Sequence, residues 1–432
     1  MLRPCLLFSI KEIGRCGTVQ VYENRARGSG RRIALRVVVL PARGVPVSPD
    51  PVVFLTGGPG LAAAEEPDVA AHLLSAVRDG HDIVLVDQRG TGQSNPLPCD
   101  LYDDRSLQSY LDPMFPSERV RACRSVLERR ADLTQYTTEI AADDLADVLT
   151  ALGYGRVNLF GVSYGTRASL VFLRRHPDRV RTATLLSVFP PDKVLGLANA
   201  RAGARALAAA FIWCASDAAC HAAVPDPAGD LRTVQARLAA TPASLTLWNW
   251  RRLRLERVSI TRHDVDEFLW SILYLPSRGR RALLLVHRAA AGDWAPLART
   301  MIDYNRIIRS GRSRGMTFSV LCTEDASRMA AEDTASVAGA SPLGVPVLGA
   351  LLAACAIWPR GVLASADTMP VRSTVPVLLL SGALDPATPV EWADSAAAGL
   401  PNSRSVVNPT GGHAALYPDG VRLIGEFVRK GR

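Results

Sequence analysis

The sequence predicts an α/β protein: a mostly parallel sheet flanked by helices, with a mainly helical segment inserted late in the sheet. Short apolar runs of strand length alternate with helix-compatible runs as far as residue 190, which is the rhythm of a parallel sheet covered on both faces. The rhythm stops from 191 to 373 and resumes from 374 to 432. One junction, Arg156-Val-Asn-Leu-Phe-Gly-Val-Ser-Tyr-Gly-Thr166, sets a serine between an apolar strand and a helical run. The expected organisation is therefore a core of 1–190 and 374–432 with 191–373 as a cap. At 432 residues the chain is long enough for such an inserted unit.

In chain order, Cys16 to Tyr22 and Ile33 to Leu40 cluster β-branched residues and read as an antiparallel lead-in. Pro51 to Leu55 is a third, fully apolar strand. It runs into Thr56-Gly57-Gly58-Pro59-Gly60, a loop bare of side chains that is either a tight turn or a place where a backbone N–H meets a substrate oxygen. A helical run over Val69 to Val77 leads to the strand Asp82 to Val86 and the loop Asp87 to Ser94. Asp87 precedes the serine in sequence, so Asp87 and Arg89 are expected to be structural polar groups. Thr137 and Thr138 suit a helix N-terminus with Glu139 in its first turn, and Gly153 suits its end. The serine strand follows, and then Val180 to Val188 as a sixth strand.

Pro190-Pro191 opens the insertion. It holds Ala-rich helical runs such as Ala198 to Ala210, the stretches Phe268 to Tyr274 and Arg280 to Ala291, and Trp213, Trp248, Trp250, Trp270, Trp294 and Trp358. The core resumes with a strand at Val375 to Leu380, the exit loop Ser381 to Asp385, a helix near Val390 to Ala398, a strand at Ser403 to Val407 and a last helix over Gly420 to Lys430.

Composition is that of an ordinary globular protein, with 48% hydrophobic and 21% charged residues. The formal charge of +9 comes from scattered arginines, the only lysines being Lys11, Lys193 and Lys430. With no basic stripe interleaved with aromatics, nucleic acid is not an expected partner. No run reaches the apolar length of a membrane span. Oligomeric state is not legible.

The eight cysteines lack C-x-x-C spacing and read as a disulfide framework rather than buried thiols. Cys5 with Cys16, Cys99 with Cys123, and Cys214 with Cys220 are local pairs, and Cys322 and Cys355 remain as a fourth, the connectivity being open. A framework implies a secreted or periplasmic location. Met1 to Ile10 has neither the length nor the cleavage pattern of a signal peptide, so either the chain begins at its mature end or the compartment differs.

Gly161-x-Ser163-x-Gly165 is a nucleophile elbow: the serine sits on a strained turn, and the flanking glycines let the backbone close. A serine needs a base, and the base needs a group that fixes its tautomer. Asp385 and His413 follow Ser163 in that order, each just past one of the last two strands. The backbone N–H groups of Tyr164 and Gly58 are the expected oxyanion donors. No metal or organic cofactor is called for.

Thr56-Gly-Gly-Pro-Gly60, Asp87-Gln-Arg-Gly-Thr-Gly92, Gly161-Val-Ser-Tyr-Gly-Thr166, the Asp385 loop and Gly412-His413 together resemble the prolyl iminopeptidase and tripeptidyl aminopeptidase group of α/β-hydrolases, in its secreted bacterial branch with a TAP-like C-terminal segment. The resemblance spans nearly the whole chain and implies an α/β-hydrolase fold, an exopeptidase acting on free peptide N-termini, and an export signal. Two departures stand out. Thr56 replaces the histidine of the intracellular iminopeptidases, and their cap glutamate motif is missing in its usual form. Cys322-Thr-Glu324-Asp325 offers an acidic pair instead, so Glu324, with Asp325 next, is the candidate anchor for a substrate ammonium; a plain surface or capping acid is the alternative. A carboxylesterase or amidase on small acyl substrates would use the same triad. A silent binding protein of the same fold is the third reading, and the intact Ser-Asp-His order speaks against it.

Overall fold

The structure, a computed structural model, describes residues 2–329, 336–337, 343 and 345–431. Its strands are β1 (Arg3–Leu7), β2 (Glu12–Tyr22), β3 (Arg32–Leu40), β4 (Val52–Leu55), β5 (Ile83–Val86), β6 (Val157–Val162), β7 (Val180–Leu186), β8 (Ala243–Asn249), β9 (Arg254–Ile260), β10 (Val377–Gly382) and β11 (Ser403–Asn408). Nine of them form one sheet in the order β1-β2-β3-β5-β4-β6-β7-β10-β11. From β5 to β11 every neighbour is parallel, while β1, β2 and β3 pair antiparallel at one edge.

The parallel strands are apolar on both faces because both are covered. Alternate residues go to opposite sides. Val53, Val84 and Leu159 join the core under helices Thr138–Ala151 and Tyr164–Arg175, whereas Val52, Phe54, Ile83, Leu85 and Phe160 join the core under Gly420–Lys430. The Thr138–Ala151 helix is capped as the sequence suggests, the Thr137 side chain accepting the Ile140 N–H.

Two features were not expected. Arg3–Leu7 is a strand, so the helical insertion follows the seventh strand of the chain, not the sixth. Within the insertion, β8 and β9 form an antiparallel hairpin. Its other main elements among the described residues are helices, from Leu197–Ser216 through Arg314–Glu324 to Val345–Cys355, around an apolar centre of Leu231, Val258, Phe268, Leu297 and Met301. Leu97, Leu127 and Tyr136, which precede the serine strand in sequence, pack with Met316, Phe318 and Leu351 of the insertion. All eight cysteines are joined: Cys5–Cys16, Cys99–Cys123, Cys214–Cys220 and Cys322–Cys355.

Candidate active site

Ser163 stands where β6 ends and the Tyr164–Arg175 helix begins, at φ 56° and ψ −122°. A non-glycine residue at such angles costs about 1 to 3 kcal/mol and persists only where its surroundings enforce it. The enforcement is steric. A Cβ on Gly161 would lie 2.4 Å from the Gly165 carbonyl oxygen, and one on Gly165 would lie 2.0 Å from the Leu55 carbonyl oxygen. Only glycine at both positions lets strand, turn and helix approach this closely.

Three side chains predicted from sequence meet here. His413 Nε2 is 3.0 Å from Ser163 Oγ, and His413 Nδ1 is 2.9 Å from Asp385 Oδ2. The Asp385 side chain is fully shielded from solvent and that of His413 is partly exposed. Burial pushes the Asp385 carboxyl up, but the charge of His413 and hydrogen bonds from His413 and Thr388 outweigh it and hold the carboxyl below its ordinary value.

Asp385 is saturated with donors. Oδ1 accepts the N–H groups of Ala387 (2.8 Å) and Thr388 (2.9 Å), and Oδ2 accepts the hydroxyls of Thr388 (2.6 Å) and Ser187 (2.9 Å). Ser187 also accepts the Ala414 N–H at 2.8 Å, so one hydroxyl ties the acid to the residue after His413. Ser187 and Ala414 both have positive φ, 61° and 55°. Sequence reasoning missed Ser187 and Thr388. A polar residue just past β7 and a threonine three after the acid were the available signals.

The Gly57–Gly58 backbone passes Ser163 closely, since a Cβ on Gly57 would lie 3.4 Å from Ser163 Cβ. Gly58 has φ +118°, and its N–H has no partner among the described residues. Tyr164, first in its helix, has an N–H without an intrahelical acceptor.

The insertion grips these loops directly. The Tyr274 carbonyl accepts the His413 N–H at 2.8 Å, and the two rings lie 4.9 Å apart. The Ser313 N–H donates to the Gly60 carbonyl at 2.9 Å, and the Thr317 hydroxyl to the Pro59 carbonyl at 2.7 Å.

Glu324 and Asp325, the candidate ammonium anchors, are both engaged by internal donors. Glu324 is buried and accepts the N–H (2.7 Å) and hydroxyl (2.9 Å) of Thr138, whose hydroxyl also meets the Tyr164 hydroxyl at 2.8 Å. Burial raises its pKa against the pull of Arg167. Asp325 is wholly enclosed and takes the Arg167 guanidinium in a fork, at 2.7 and 3.2 Å. Glu324 thus ties the insertion to the start of the Thr138–Ala151 helix, and Asp325 ties it to the helix that follows Ser163.

Asp87 and Arg89 are structural, as expected. Asp87 accepts the N–H groups of Ala64 (2.8 Å) and Gln93 (3.0 Å), and burial lifts its pKa to about 6. Arg89 forks onto Asp144 at 2.6 and 2.8 Å.

Residues 50–419, most of the chain, match the α/β hydrolase fold family. The protein is an α/β hydrolase. The hydrolase is 30% identical over 201 residues to the tripeptidyl aminopeptidase of Streptomyces lividans, covering 43% of this chain and 37% of that one. It is 29% identical over 145 residues to the proline iminopeptidase of Neisseria gonorrhoeae, covering 32% and 33%. The chain thus spans little more than a third of the length of these relatives. Among solved structures, an esterase from Thermogutta terrifontis aligns over 96% of this chain and 99% of its own, at 18% identity and a TM-score of 0.42.

Proposed function

We propose that this hydrolase works by an acyl-enzyme mechanism with Ser163 as nucleophile, His413 as general base and acid, and Asp385 as the group that orients His413. The observation that carries the reading is the continuous line Asp385–His413–Ser163 at 2.9 and 3.0 Å, ending on a serine held at a strained turn. Nδ1–H donates to Asp385, which leaves Nε2 to take the Ser163 proton as Oγ attacks the substrate carbonyl. The N–H groups of Tyr164 and Gly58 receive the oxyanion. Collapse expels the amine or alcohol with the proton from His413, and water, deprotonated in turn by His413, releases the acid and restores the serine.

The substrate class inferred is a peptide with a free N-terminus. What supports this is the naming of the relatives as tripeptidyl aminopeptidase and proline iminopeptidase, together with the Gly-Gly-Pro-Gly and Asp-Gln-Arg-Gly motifs. A second reading, a carboxylesterase or amidase on small acyl groups, is favoured by one observation: Glu324 and Asp325 are committed internally. Four disulfides support an oxidising, extracytoplasmic compartment.

A panel of chromogenic aminoacyl, tripeptidyl and short acyl-ester substrates decides between the two classes. Ser163→Ala should lower turnover of every hydrolysed member by several orders of magnitude without loss of fold, and a serine-reactive phosphonate should label Ser163. Near-normal turnover in the variant would overturn the assignment.

A further inference from the structure

The β8–β9 hairpin obeys strand alternation on one face and departs from it on the other. Leu247, Asn249, Val258 and Ile260 point into the insertion and are almost fully buried. On the outer face Trp248 pairs with Leu255, and Trp250 and Leu253 occupy the turn beyond them. These four are 39%, 63%, 79% and 72% exposed, in that order. Water-facing strand positions ordinarily carry polar side chains, and two indoles beside two leucines form a contiguous apolar patch of the kind that marks a binding surface.

Leu253 sharpens the point. It has φ 49°, a left-handed conformation normally left to Gly or Asn, yet the chain holds a leucine there with its side chain in solvent. The tip is also braced by hydrogen bonds. Asn249 accepts the N–H groups of Arg251 (3.0 Å) and Arg252 (3.2 Å), and its amide donates to Glu256 (2.6 Å) and to the Arg105 carbonyl (2.8 Å). Glu256 in turn accepts the Leu107 N–H at 2.9 Å, fixing the hairpin to the body of the protein. Binding through a tip braced in this way loses little conformational entropy.

Arginines rim the patch. Arg251 and Arg252 face Asp104 (2.8 Å) and Asp103 (3.5 Å). Arg254 and Arg257 are exposed and, among the described residues, enter no ion pair. A convex tip with indoles at its apex and guanidinium groups around it matches the boundary of an anionic bilayer, where indole rings settle at headgroup level and arginines meet phosphates. The chain's formal charge of +9 favours approach to such a surface. Among the described residues no helix is long and apolar enough to cross a membrane, so the contact would be peripheral.

We propose that the tip of the β8–β9 hairpin docks this protein onto an anionic lipid surface, inserting Trp250 and Leu253 while Arg254 and Arg257 engage headgroup phosphates. The full chain should co-sediment with vesicles of mixed phosphatidylglycerol and phosphatidylcholine, and far less with phosphatidylcholine alone. Raising the salt should weaken the interaction. The double variant Trp250→Ser/Leu253→Asn should bind roughly 100-fold more weakly, since each lost apolar side chain is itself worth about a decade. Its melting temperature should be unchanged, because both side chains are exposed and asparagine suits the backbone at 253. Arg254→Glu/Arg257→Glu should abolish the preference for phosphatidylglycerol. Failure of the wild-type protein to bind the mixed vesicles, or undiminished binding by the Trp250→Ser/Leu253→Asn variant, would overturn the proposal. So would a concentration-dependent dimer in sedimentation velocity that the same variant abolishes, which would give the face to a second copy of the chain.

Discussion

Removing one hydroxyl, that of Ser187, should slow the enzyme without unfolding it. Ser187→Ala takes away one of the donors on Asp385 Oδ2 and leaves the Ala414 N–H, beside His413, without its acceptor. This N–H is partly buried, so leaving it unpaired costs up to about 1 to 3 kcal/mol, and the loop should relax toward water or another acceptor. Misplacing a catalytic group by about 1 Å can cost roughly 100-fold. We expect kcat to fall about 10- to 100-fold and KM to change little, because Ser187 is a positioning residue behind the acid and does not touch substrate. With one donor fewer, the Asp385 carboxyl should also rise from its depressed value. Ser187→Gly separates this role from plain stability. Glycine relieves the φ of 61°, worth about 1 to 2 kcal/mol, so this variant should be more stable than Ser187→Ala yet equally slow. Wild-type kcat in Ser187→Gly would refute the reasoning.

Glu324→Gln should reduce hydrolysis of peptides and simple esters alike, by about 1 to 3 kcal/mol in kcat/KM, since its amide can no longer accept both donors of Thr138; a loss confined to peptides with a free N-terminus would identify it as the ammonium anchor. Asp87, with an ordinary value of 3.8, titrates near 6 in the folded protein because burial disfavours its anion, so its stabilising share is complete below the lower value and lost as pH rises through the upper. Asp87→Asn should therefore flatten the decline of Tm across that window, by at most about 3 kcal/mol, and an unchanged slope would clear Asp87 of the effect. Non-reducing peptide mapping should recover all four disulfides, and Cys322→Ser/Cys355→Ser should destabilise by about 3 to 4 kcal/mol; an unchanged melting temperature would show that the bond adds nothing.

What sequence could reveal depended on whether each signal was local. The elbow is local: an apolar run, two glycines at fixed offsets and a helical continuation lie within twenty residues. The order of Ser163, Asp385 and His413 needed only strand ends to be recognised. Strand β1 was invisible because Arg3-Pro-Cys-Leu-Leu is a mostly exposed edge strand containing a proline, with no alternation to read. The Arg314–Glu324 helix was missed for the opposite reason: every residue in it is buried, so it has no polar face and no helical period. The hairpin was passed over because its tryptophans were counted with those of a mainly helical insertion. The acidic pair was the hardest case. Nothing near Glu324 and Asp325 announces Thr138 or Arg167, and the Arg167–Asp325 pairing spans 158 positions.

The same long-range contacts bear on what the insertion is for. A lid that merely covered a site would touch its rim, and the core would hold the catalytic loops by itself. Here each loop leans on the insertion. The Tyr274 carbonyl receives the backbone N–H of His413 itself, Ser313 and Thr317 hold the Gly60 and Pro59 carbonyls of the glycine-rich loop beside Ser163, and Asp325 neutralises an arginine on the helix that follows Ser163. Removing the insertion would expose Arg167 without its partner and leave the His413 turn short of an acceptor, each a cost of the size that displaces loops. Gly412 shows how close the fit is, since a Cβ there would lie 2.3 Å from the Tyr274 carbonyl oxygen. The insertion is thus part of the framework that sets the serine–histidine distance. Substitutions at its contacts with these loops should change kcat before they change the affinity for substrate.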